Sequence, residues 1–257
     1  MGEWARDRGR GDHSMGRKQA NRLAESVYAK IKAEIFDFRL LPSDRFTETE
    51  LAERYAVSRT PVRDALYRLK REGHVDVEFR AGWTVSPMDF ARFEELYDLR
   101  ILLESTAIER LCQAEETARF PALKAIWQVP AGERETDPRK ITDLDEGFHR
   151  ALVAAAGNRV MADVHDEVTD KIRIVRRLDF LKDHRIAATY EEHALILRLI
   201  QRRRATEALM LLRAHITESK IEVRKITLHM LHEARARMRP AEKKPPSKRP
   251  RRERASA

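Results

Sequence analysis

The stretch that decides the fold of the N-terminal region is Val57-Ser58-Arg59-Thr60-Pro61-Val62-Arg63-Asp64-Ala65-Leu66. Ser58 is of a residue type that caps helices, and Pro61 falls in the first helical turn, where the N–H group that proline lacks would have no partner. The apolar residues Val62, Leu66 and Leu69 predict one buried face. The opposite face carries the basic residues Arg59, Arg63, Arg68, Lys70 and Arg71. The stretch therefore predicts an amphipathic helix that exposes a basic face.

Two helices are predicted upstream of this stretch. Leu23, Val27, Ile31 and Ile35 recur at every fourth position, which predicts an amphipathic helix that ends before Leu41-Pro42. The run Thr47-Glu48-Thr49-Glu50 has the pattern of a capping box and predicts the start of a short second helix.

Two short segments of alternating apolar and polar residues follow Gly73. They cover residues 74–79 and 83–85, and Arg80-Ala81-Gly82 joins them, which predicts a β-hairpin. Three helices followed by a hairpin are the order of a winged helix-turn-helix, whose third helix enters the major groove of DNA. A solvated charged face is the commoner explanation of an arginine-rich helix, but guanidinium groups also pair bidentately with guanine edges or phosphates. The order and spacing of the elements favour DNA binding.

Residues 21–87 resemble the GntR superfamily of bacterial transcription factors. The resemblance rests on Thr47-x-x-x-Leu51-Ala52, on the run from Val57 to Leu66, and on Leu69, Glu72-Gly73, Gly82 and Val85. It implies that the chain binds a double-stranded DNA operator. It also implies DNA contacts for five residues: Ser58, Arg59, Thr60 and Arg63 in the helix-turn-helix and Gly82 in the wing. Two residues depart from the family pattern, since Ser43 replaces a usual turn glycine and His74 replaces a usual apolar residue.

The formal net charge of +9 is concentrated at the two ends of the chain. Residues 1–18 carry five basic and three acidic residues, residues 236–257 carry nine basic and two acidic ones, and the sequence between them sums to zero. Both ends are predicted to be disordered and basic, with the C-terminal one rich in proline. The basic tail is either solubilising or a sequence-independent phosphate contact. The high charge therefore does not by itself assign DNA binding to the folded part.

The remaining composition predicts a cytoplasmic protein that does not enter membranes. Cys112 is the single cysteine, so no internal disulfide framework is possible. No apolar run approaches the ~20 residues that span a bilayer, and the first residues lack the apolar core of a secretory signal.

Helical periodicity dominates from Asp89 onward, after a boundary at Ser86-Pro87-Met88-Asp89. The fold class predicted is mostly α, with a winged helix-turn-helix in residues 19–87 and an all-helical bundle in residues 89–236. Residues 1–18 and 237–257 are the predicted disordered segments. Six helices are expected in the bundle, over residues 89–112, 115–127, 141–156, 159–180, 185–203 and 205–235.

Polar residues interrupt the apolar stripes of three of these helices. Asp145 and His149 lie four residues apart on one stripe, and His193 and His215 each lie on another. A carboxylate on a core-facing stripe is expensive unless it is paired or bound to a metal. One Asp and three His are suitable ligands for Zn²⁺, and Mn²⁺, Ni²⁺ and Fe²⁺ remain open on ligand type. For each histidine alone, a hydrogen-bonded core residue is the commoner reading, and His165 lies on a stripe without an assigned role.

Arg100 also lies on an apolar face, which is unusual for a guanidinium group. One interpretation is a pair with Glu104, four residues later on the same helix. The other is that Arg100 clamps the carboxylate of an effector, with help from Arg173 or Arg176. The sequence does not choose between these interpretations.

Residues 89–235 are similar to the FCD domain, the ligand-binding module of the FadR branch of GntR regulators. The similarity rests on five motifs: Leu96-Tyr97-x-x-Arg100-x-x-x-Glu104, Asp145-x-x-Phe148-His149, Ala156-Gly157-Asn158, Glu192-His193 and His215-Ile216. It implies that Asp145, His149, His193 and His215 hold a metal ion and that the effector is a small organic acid. The FCD similarity is the reason to treat these three histidines as metal ligands and His165 as an ordinary core residue.

The sequence therefore predicts a ligand-responsive transcriptional regulator that is not an enzyme. A homodimer is expected, because helix-turn-helix proteins usually read paired half-sites. Three alternatives remain open: a metal-dependent enzyme acting on a small carboxylate, a sensor of the metal itself, and a cluster that holds no metal.

Overall fold

The structure, a computed structural model, describes residues 12–79, 82–115, 120–226 and 230–231. It is mostly α-helical, as predicted, with one small sheet. The helices described are α1 (Asp12–Phe36), α2 (Glu48–Tyr55), α3 (Arg59–Arg71), α4 (Phe90–Gln113), α5 (Pro121–Trp127), α6 (Pro138–Ala155), α7 (Arg159–Asp179), α8 (Asp183–Gln201) and α9 (Ala205–Val223). The strands are β1 (Arg45–Phe46), β2 (Val75–Glu78) and β3 (Gly82–Val85). A short 3-10 turn covers Ala131–Glu133.

The N-terminal unit is a winged helix-turn-helix. Helices α1, α2 and α3 enclose a core that includes Ile31, Leu51 and Leu66. The sheet has the order β1-β3-β2 with antiparallel pairs, and Val77 lies opposite Trp83. The predicted hairpin is present, although Arg80 and Ala81 lie outside the described residues. The sequence did not predict β1, because two residues are too few to show alternation.

Side chains cap four of the described helices, and two of these caps follow from patterns noted in the sequence. Thr47 caps α2 with the full capping box, in which Glu50 N–H donates to the Thr47 hydroxyl and the Thr47 N–H donates to the Glu50 carboxylate. Asp89 accepts a hydrogen bond from Arg92 N–H and caps α4. Ser58 occupies the cap position of α3 without a side-chain hydrogen bond, so its hydroxyl is not used by the helix.

Two positions in the N-terminal unit have backbone conformations that favour glycine, and the GntR resemblance expects glycine at both. Ser43 has φ of 71°, a left-handed conformation that glycine adopts with less strain, and this is the position where the resemblance expects glycine. Gly82 has φ of 91°, and a Cβ atom added there would lie 2.8 Å from the carbonyl oxygen of Phe46. The close approach of β3 to β1 therefore requires glycine at Gly82 for a structural reason.

The C-terminal unit is a helical bundle in which α4 packs against α6, α7 and α9. Helices α4 and α9 run antiparallel, as ion pairs join Asp98 to Lys220 and Glu94 to Arg224. The apolar core includes Trp127 and Phe148, whose rings meet edge to face. Within the described ranges, no helix has the length and apolar character needed to cross a membrane.

Four predicted boundaries differ from the structure by three residues or more, and the smallest of these differences is the start of α6 at Pro138 instead of residue 141. Helix α1 begins at Asp12, so residues 12–18 are helical instead of disordered, because no proline interrupts the chain there and extending an existing helix is easy. Helix α5 begins at Pro121, which suits a first helical turn, instead of residue 115. Helix α9 ends at Val223, the last of its residues in the core, instead of residue 235. Residues 1–11 and 237–257 lie outside the described residues.

A buried junction joins the two units at the end of α1. Asp37 is 5% exposed and forms ion pairs with Arg39, with Arg139 of α6 and with Arg177 of α7. The next residue, Phe38, is fully buried in a cluster with Leu178 of α7. The first helix of the N-terminal unit is therefore held against α6 and α7 by charge and by apolar contact.

Candidate metal centre and nucleic-acid interface

Three helices bring the four predicted ligands together in the core of the C-terminal unit. Helix α6 contributes Asp145 and His149 one turn apart, α8 contributes His193 and α9 contributes His215. One ligand atom from each residue lies within 4.8 Å of all the others, and all four residues are buried. The apolar stripes that surround these residues place them there, because each stripe must face the core.

The spacing of the ligand atoms fits a single metal ion. Asp145 Oδ1 lies 3.6 Å from His149 Nε2, 3.4 Å from His193 Nε2 and 4.0 Å from His215 Nε2. His215 Nε2 lies 3.3 Å from Nε2 of both His193 and His149. Atoms that bind one zinc ion at about 2.0–2.2 Å stand roughly 2.8–3.6 Å apart at angles of about 90–110°. Of the five distances given, only the 4.0 Å between Asp145 and His215 exceeds this range, so these two side chains would have to move slightly closer on binding. Asp145 Oδ1 is buried and accepts no hydrogen bond among the described residues, which fits an oxygen that ligates a cation.

The histidines have the protonation state that a metal requires. Burial lowers the pKa of His215 to about 3 and also lowers the pKa of His149. Burial, followed by the proximity of His215 and His149, holds the pKa of His193 well below its ordinary value. The imidazoles are therefore neutral at neutral pH and keep a lone pair for a cation.

Two glutamates orient the ligand histidines, and the sequence did not assign this role to either. His149 Nδ1 donates to Glu104 across 2.5 Å, and His215 Nδ1 donates to Glu192 across 2.5 Å. Since an ionised carboxylate only accepts, these bonds place the protons on Nδ1 and leave Nε2 open. Both glutamates occur in the motifs that carry the FCD similarity, which was the only available signal.

Glu104 also contacts Arg100, for which the sequence left two interpretations open. Arg100 Nε donates to Glu104 Oε1 across 2.7 Å, so the pair within helix α4 is present and fully buried. Arg100 Nη2 has no hydrogen-bond partner among the described residues, so part of the guanidinium group stays available. His165 Nε2 contacts the same glutamate oxygen at 3.0 Å, which places His165 behind the cluster instead of in it.

Helix α7 supports the acidic residues of α6. Arg176 contacts Asp145, and Arg173 contacts the neighbouring Glu146. Of the two arginines proposed to assist Arg100, the structure therefore places Arg176 at the cluster and Arg173 beside it. Arg177, the next residue of α7, contacts Asp37 in the N-terminal unit.

The start of α3 presents the predicted DNA-contacting residues at the surface. Ser58, Arg59, Thr60 and Arg63 are all exposed. Glu48, at the start of α2, binds both arginines: Arg63 donates through Nε across 3.0 Å and through Nη2 across 2.9 Å, and Arg59 donates through Nη2 across 3.2 Å. The hydrogen bond from Arg63 lowers the pKa of Glu48, although partial burial opposes this. Glu48 was not singled out from the sequence.

Three helices, a small antiparallel sheet and an exposed arginine-bearing third helix define a winged helix-turn-helix protein, the class that reads DNA with its third helix. Comparisons with known families agree with this class. The family of bacterial regulatory proteins called gntR matches residues 23–85, and the FCD domain family matches residues 95–218. The chain belongs to the GntR family of bacterial transcriptional regulators and combines its DNA-binding domain with an FCD domain. Both resemblances are thereby confirmed.

Individual relatives are transcriptional regulators as well. The chain is 28% identical to the HTH-type transcriptional regulator YdhC of Bacillus subtilis, over 73% of this chain and 85% of the relative. It is 29% identical to the Nta operon transcriptional regulator of Aminobacter aminovorans, over 70% of this chain and 84% of the relative. A crystal structure of a GntR regulator from Rhodococcus sp. RHA1 superposes with a TM-score of 0.63 at 19% identity, over 82% of this chain and 99% of that chain. This last similarity supports the fold alone.

Proposed function

We propose that this regulator binds a divalent metal ion, Zn²⁺ in the first place, through Asp145, His149, His193 and His215, and that a small organic acid bound beside the metal changes its affinity for an operator. The observation that carries the proposal is the convergence of four buried ligand atoms within 4.8 Å. A bound metal would act as a Lewis acid toward a carboxylate. We also propose that residues 19–87 and 89–236 are the two domains and that the protein works in the cytoplasm.

Buried guanidinium groups support an anionic effector. Arg100 Nη2 and Arg176 Nη1 are buried and donate no hydrogen bond to the described residues. An unsatisfied N–H group in the core costs free energy, and a carboxylate would restore both hydrogen bonds and charge balance. We assign Arg100 to binding the carboxylate of the effector. Arg176 is the second arginine proposed to bind it, because Arg176 also contacts the metal ligand Asp145.

Helix α7 offers a physical connection between the two functions. Arg176 contacts Asp145 in the cluster, and its neighbour Arg177 contacts Asp37 in the DNA-binding domain. An effector can change operator affinity only if it favours one of two arrangements of these domains. Replacing Asp37 with Asn should therefore reduce the change in operator affinity that an effector produces. Arg45→Gln, which removes a charge from an exposed pair with Glu78, is the control.

The DNA-binding surface proposed consists of Ser58, Arg59, Thr60, Arg63 and Gly82. The first four are exposed near the start of α3, where a recognition helix contacts bases. Gly82 is fixed by its contact with β1, so a role in the wing is additional to its structural one. In vitro selection from random duplexes would give the preferred sequence. Arg59→Ala should then weaken binding to that sequence more than to a scrambled duplex.

A homodimer is proposed for reading paired half-sites. Leu102 of α4 is 63% exposed and Met210 of α9 is 68% exposed, on two helices that pack against each other. Exposed apolar side chains mark an interface where they form one contiguous patch, and we propose that Leu102 and Met210 belong to such a patch. Light scattering should show a dimer that L102E and M210E dissociate. L195E, at an exposed position of α8, should leave the dimer intact.

Elemental analysis and native mass spectrometry of the purified protein test the metal and any retained ligand together. We expect one divalent ion for each chain and a lower content in His149→Ala and His193→Ala. Equal metal content in wild type and both variants would reject the site.

Operator binding with defined additions separates the proposed regulator from the alternatives. The additions are Zn²⁺ alone, and Zn²⁺ with acetate, malonate or citrate. A carboxylate that changes affinity only when metal is present supports the proposal, and the same change with metal alone supports a metal sensor instead. Consumption of a carboxylate by the metal-loaded protein would show an enzyme.

A further inference from the structure

Glu48 accepts hydrogen bonds from two arginines at the start of α3, Arg59 and Arg63. It is the first residue of α2, a position where the helix dipole favours a carboxylate. Its side chain is only 13% exposed, whereas the side chains of Arg59 and Arg63 are 60% and 53% exposed. A largely enclosed carboxylate therefore holds two guanidinium groups that otherwise extend into solvent.

The contact with Arg63 uses one edge of its guanidinium group. Nε donates to Glu48 Oε1 across 3.0 Å and Nη2 donates to Oε2 across 2.9 Å. The remaining donors are the two N–H groups of Nη1 and the second N–H group of Nη2. These form the end of the guanidinium fork, and such a pair of donors can span the O6 and N7 atoms of guanine. Glu48 thus restrains Arg63 without blocking the donors that read a base.

Restraint of this kind affects specificity more than total affinity. A free arginine side chain populates many rotamers, and a side chain that is already ordered loses less rotamer entropy on binding a base. A negative charge near the phosphates weakens binding to every duplex, because phosphate attraction does not depend on sequence. If Glu48 were only a surface ion-pair partner, its removal would strengthen binding to all duplexes equally.

We propose that Glu48 is a specificity-determining residue, which positions Arg59 and Arg63 for base reading while it lowers sequence-independent binding to the phosphate backbone. The inference rests on the proposed role of the two arginines at the DNA interface. It adds a residue that touches no base itself and acts through the arginines.

Glu48→Gln tests this inference. The glutamine keeps the size of the side chain but loses the charge-assisted, two-oxygen contact. Duplexes for the assay come from selection of random sequences by the wild-type chain, and a scrambled duplex serves as the non-specific probe. We expect tighter binding to the scrambled duplex, weaker binding to the selected one, and a specificity ratio that falls by about tenfold, the effect of ~1.4 kcal/mol at a base contact. Glu53→Gln, an exposed residue of the same helix that contacts neither arginine, is the matched control and should leave the ratio unchanged.

A double-mutant cycle separates positioning from a general charge effect. In an Arg59→Ala/Arg63→Ala background, Glu48→Gln should no longer change the specificity ratio. An equal fall in that background, or a ratio unchanged in the single variant, would overturn the inference. If the wild-type chain enriches no sequence, the proposed DNA-contacting role of the arginines fails first, so the two failures are distinguishable. Should Glu48→Gln not fold, Glu48→Asp keeps the charge with a shorter reach and should lower the ratio without tighter binding to the scrambled duplex.

Discussion

The recognition-helix surface and the buried cluster use the same kinds of side chain in opposite surroundings. At the surface, Glu48 pairs with Arg59 and Arg63, and both arginines are more than half exposed. In the core, Asp145 meets Arg176 and three histidines that have almost no contact with solvent. Exposed ion pairs contribute only about 0–1 kcal/mol, so the surface pairs are weak enough to exchange partners for DNA, as the proposed interface requires. Unpaired buried charges cost several times more, so the cluster must keep its partners or bind a cation.

The difference shows that burial, more than residue type, decides what these carboxylates do. A carboxylate that water can reach adjusts the position of a flexible neighbour. A carboxylate sealed from water becomes part of a fixed set of donors and acceptors. The two sites should therefore respond very differently to single substitutions, and a substitution at the surface should leave metal binding in the absence of DNA unchanged.

Loss of a ligand histidine should have the largest effect. His193→Ala removes one Nε2 donor from the cluster, and we expect metal affinity to fall by more than about 100-fold, since even supporting residues contribute 10–100-fold. Competition with a chromophoric chelator measures it. His184→Ala, an exposed histidine on the same helix, is the control and should bind metal as the wild type does. Unchanged affinity in His193→Ala would separate the cluster from metal binding.

Loss of an orienting carboxylate should have the next largest effect. Glu104→Gln keeps the size of the side chain but weakens the acceptor for His149 Nδ1, and we expect metal affinity to fall about 10–100-fold. The same chelator competition applies. Glu109→Gln, exposed on the same helix, should have no effect. A similar loss in both variants would contradict a specific role for Glu104.

Arg63→Ala should change the surface site and leave the buried one intact. We expect binding to the selected duplex to weaken by about 2 kcal/mol, roughly 30-fold, while metal affinity stays the same. Lys70→Ala, exposed near the other end of α3, should instead weaken binding to all duplexes alike. Fluorescence anisotropy with selected and scrambled duplexes measures both. Equal losses for the two duplexes in Arg63→Ala would remove this arginine from base reading.

The smallest effect concerns a partly buried histidine outside the cluster. Burial and then Lys32 lower the pKa of His74 to about 4 from its ordinary 6.5, while Glu72 and Asp170 oppose the shift. Between these values the unfolded chain binds a proton that the folded chain does not, so stability falls as the pH decreases through this window. At about pH 5.5 the loss is on the order of 1 kcal/mol relative to neutral pH.

His74→Leu, which restores the apolar residue that the GntR resemblance expects, should remove that part of the pH dependence. Urea unfolding of wild type and variant at two pH values, followed by circular dichroism, measures it. Parallel pH profiles for the two proteins would show that His74 does not titrate on unfolding. His74 lies outside the cluster of metal-ligand candidates, so we expect its replacement to change stability and not metal binding.

Part of the candidate site followed from the sequence because it depends on neighbouring residues. The i, i+4 spacing of Asp145 and His149 fixes them on one face of α6, and the stripes around His193 and His215 turn them inward. The roles of Glu104 and Glu192 did not follow. Glu104 meets His149 across 45 residues of sequence and Glu192 meets His215 across 23, so no local pattern reports the contact.

The same limit applies to the surface site and to the junction between the domains. In the sequence, Glu48 belongs only to a pattern that predicts the start of a helix. The packing of α2 against α3 shows that it binds two arginines. Asp37 lies 140 residues from Arg177, and its burial is visible only once α1 is packed against α7. Conversely, His165 lies on an apolar stripe of its helix just as the candidate ligands do. Only its contact with Glu104 in the structure shows that it is not one of the four clustered ligand residues.

The sequence by itself determined the elements and the faces of this protein: a helix-turn-helix with a wing, a set of amphipathic helices, and polar side chains turned toward the core. These features depend on hydrogen bonds and apolar spacing within a few residues, which the local sequence specifies. The tertiary structure alone decided which of those side chains meet. Distances between atoms on different helices depend on how the whole core packs, and no single helix contains that information.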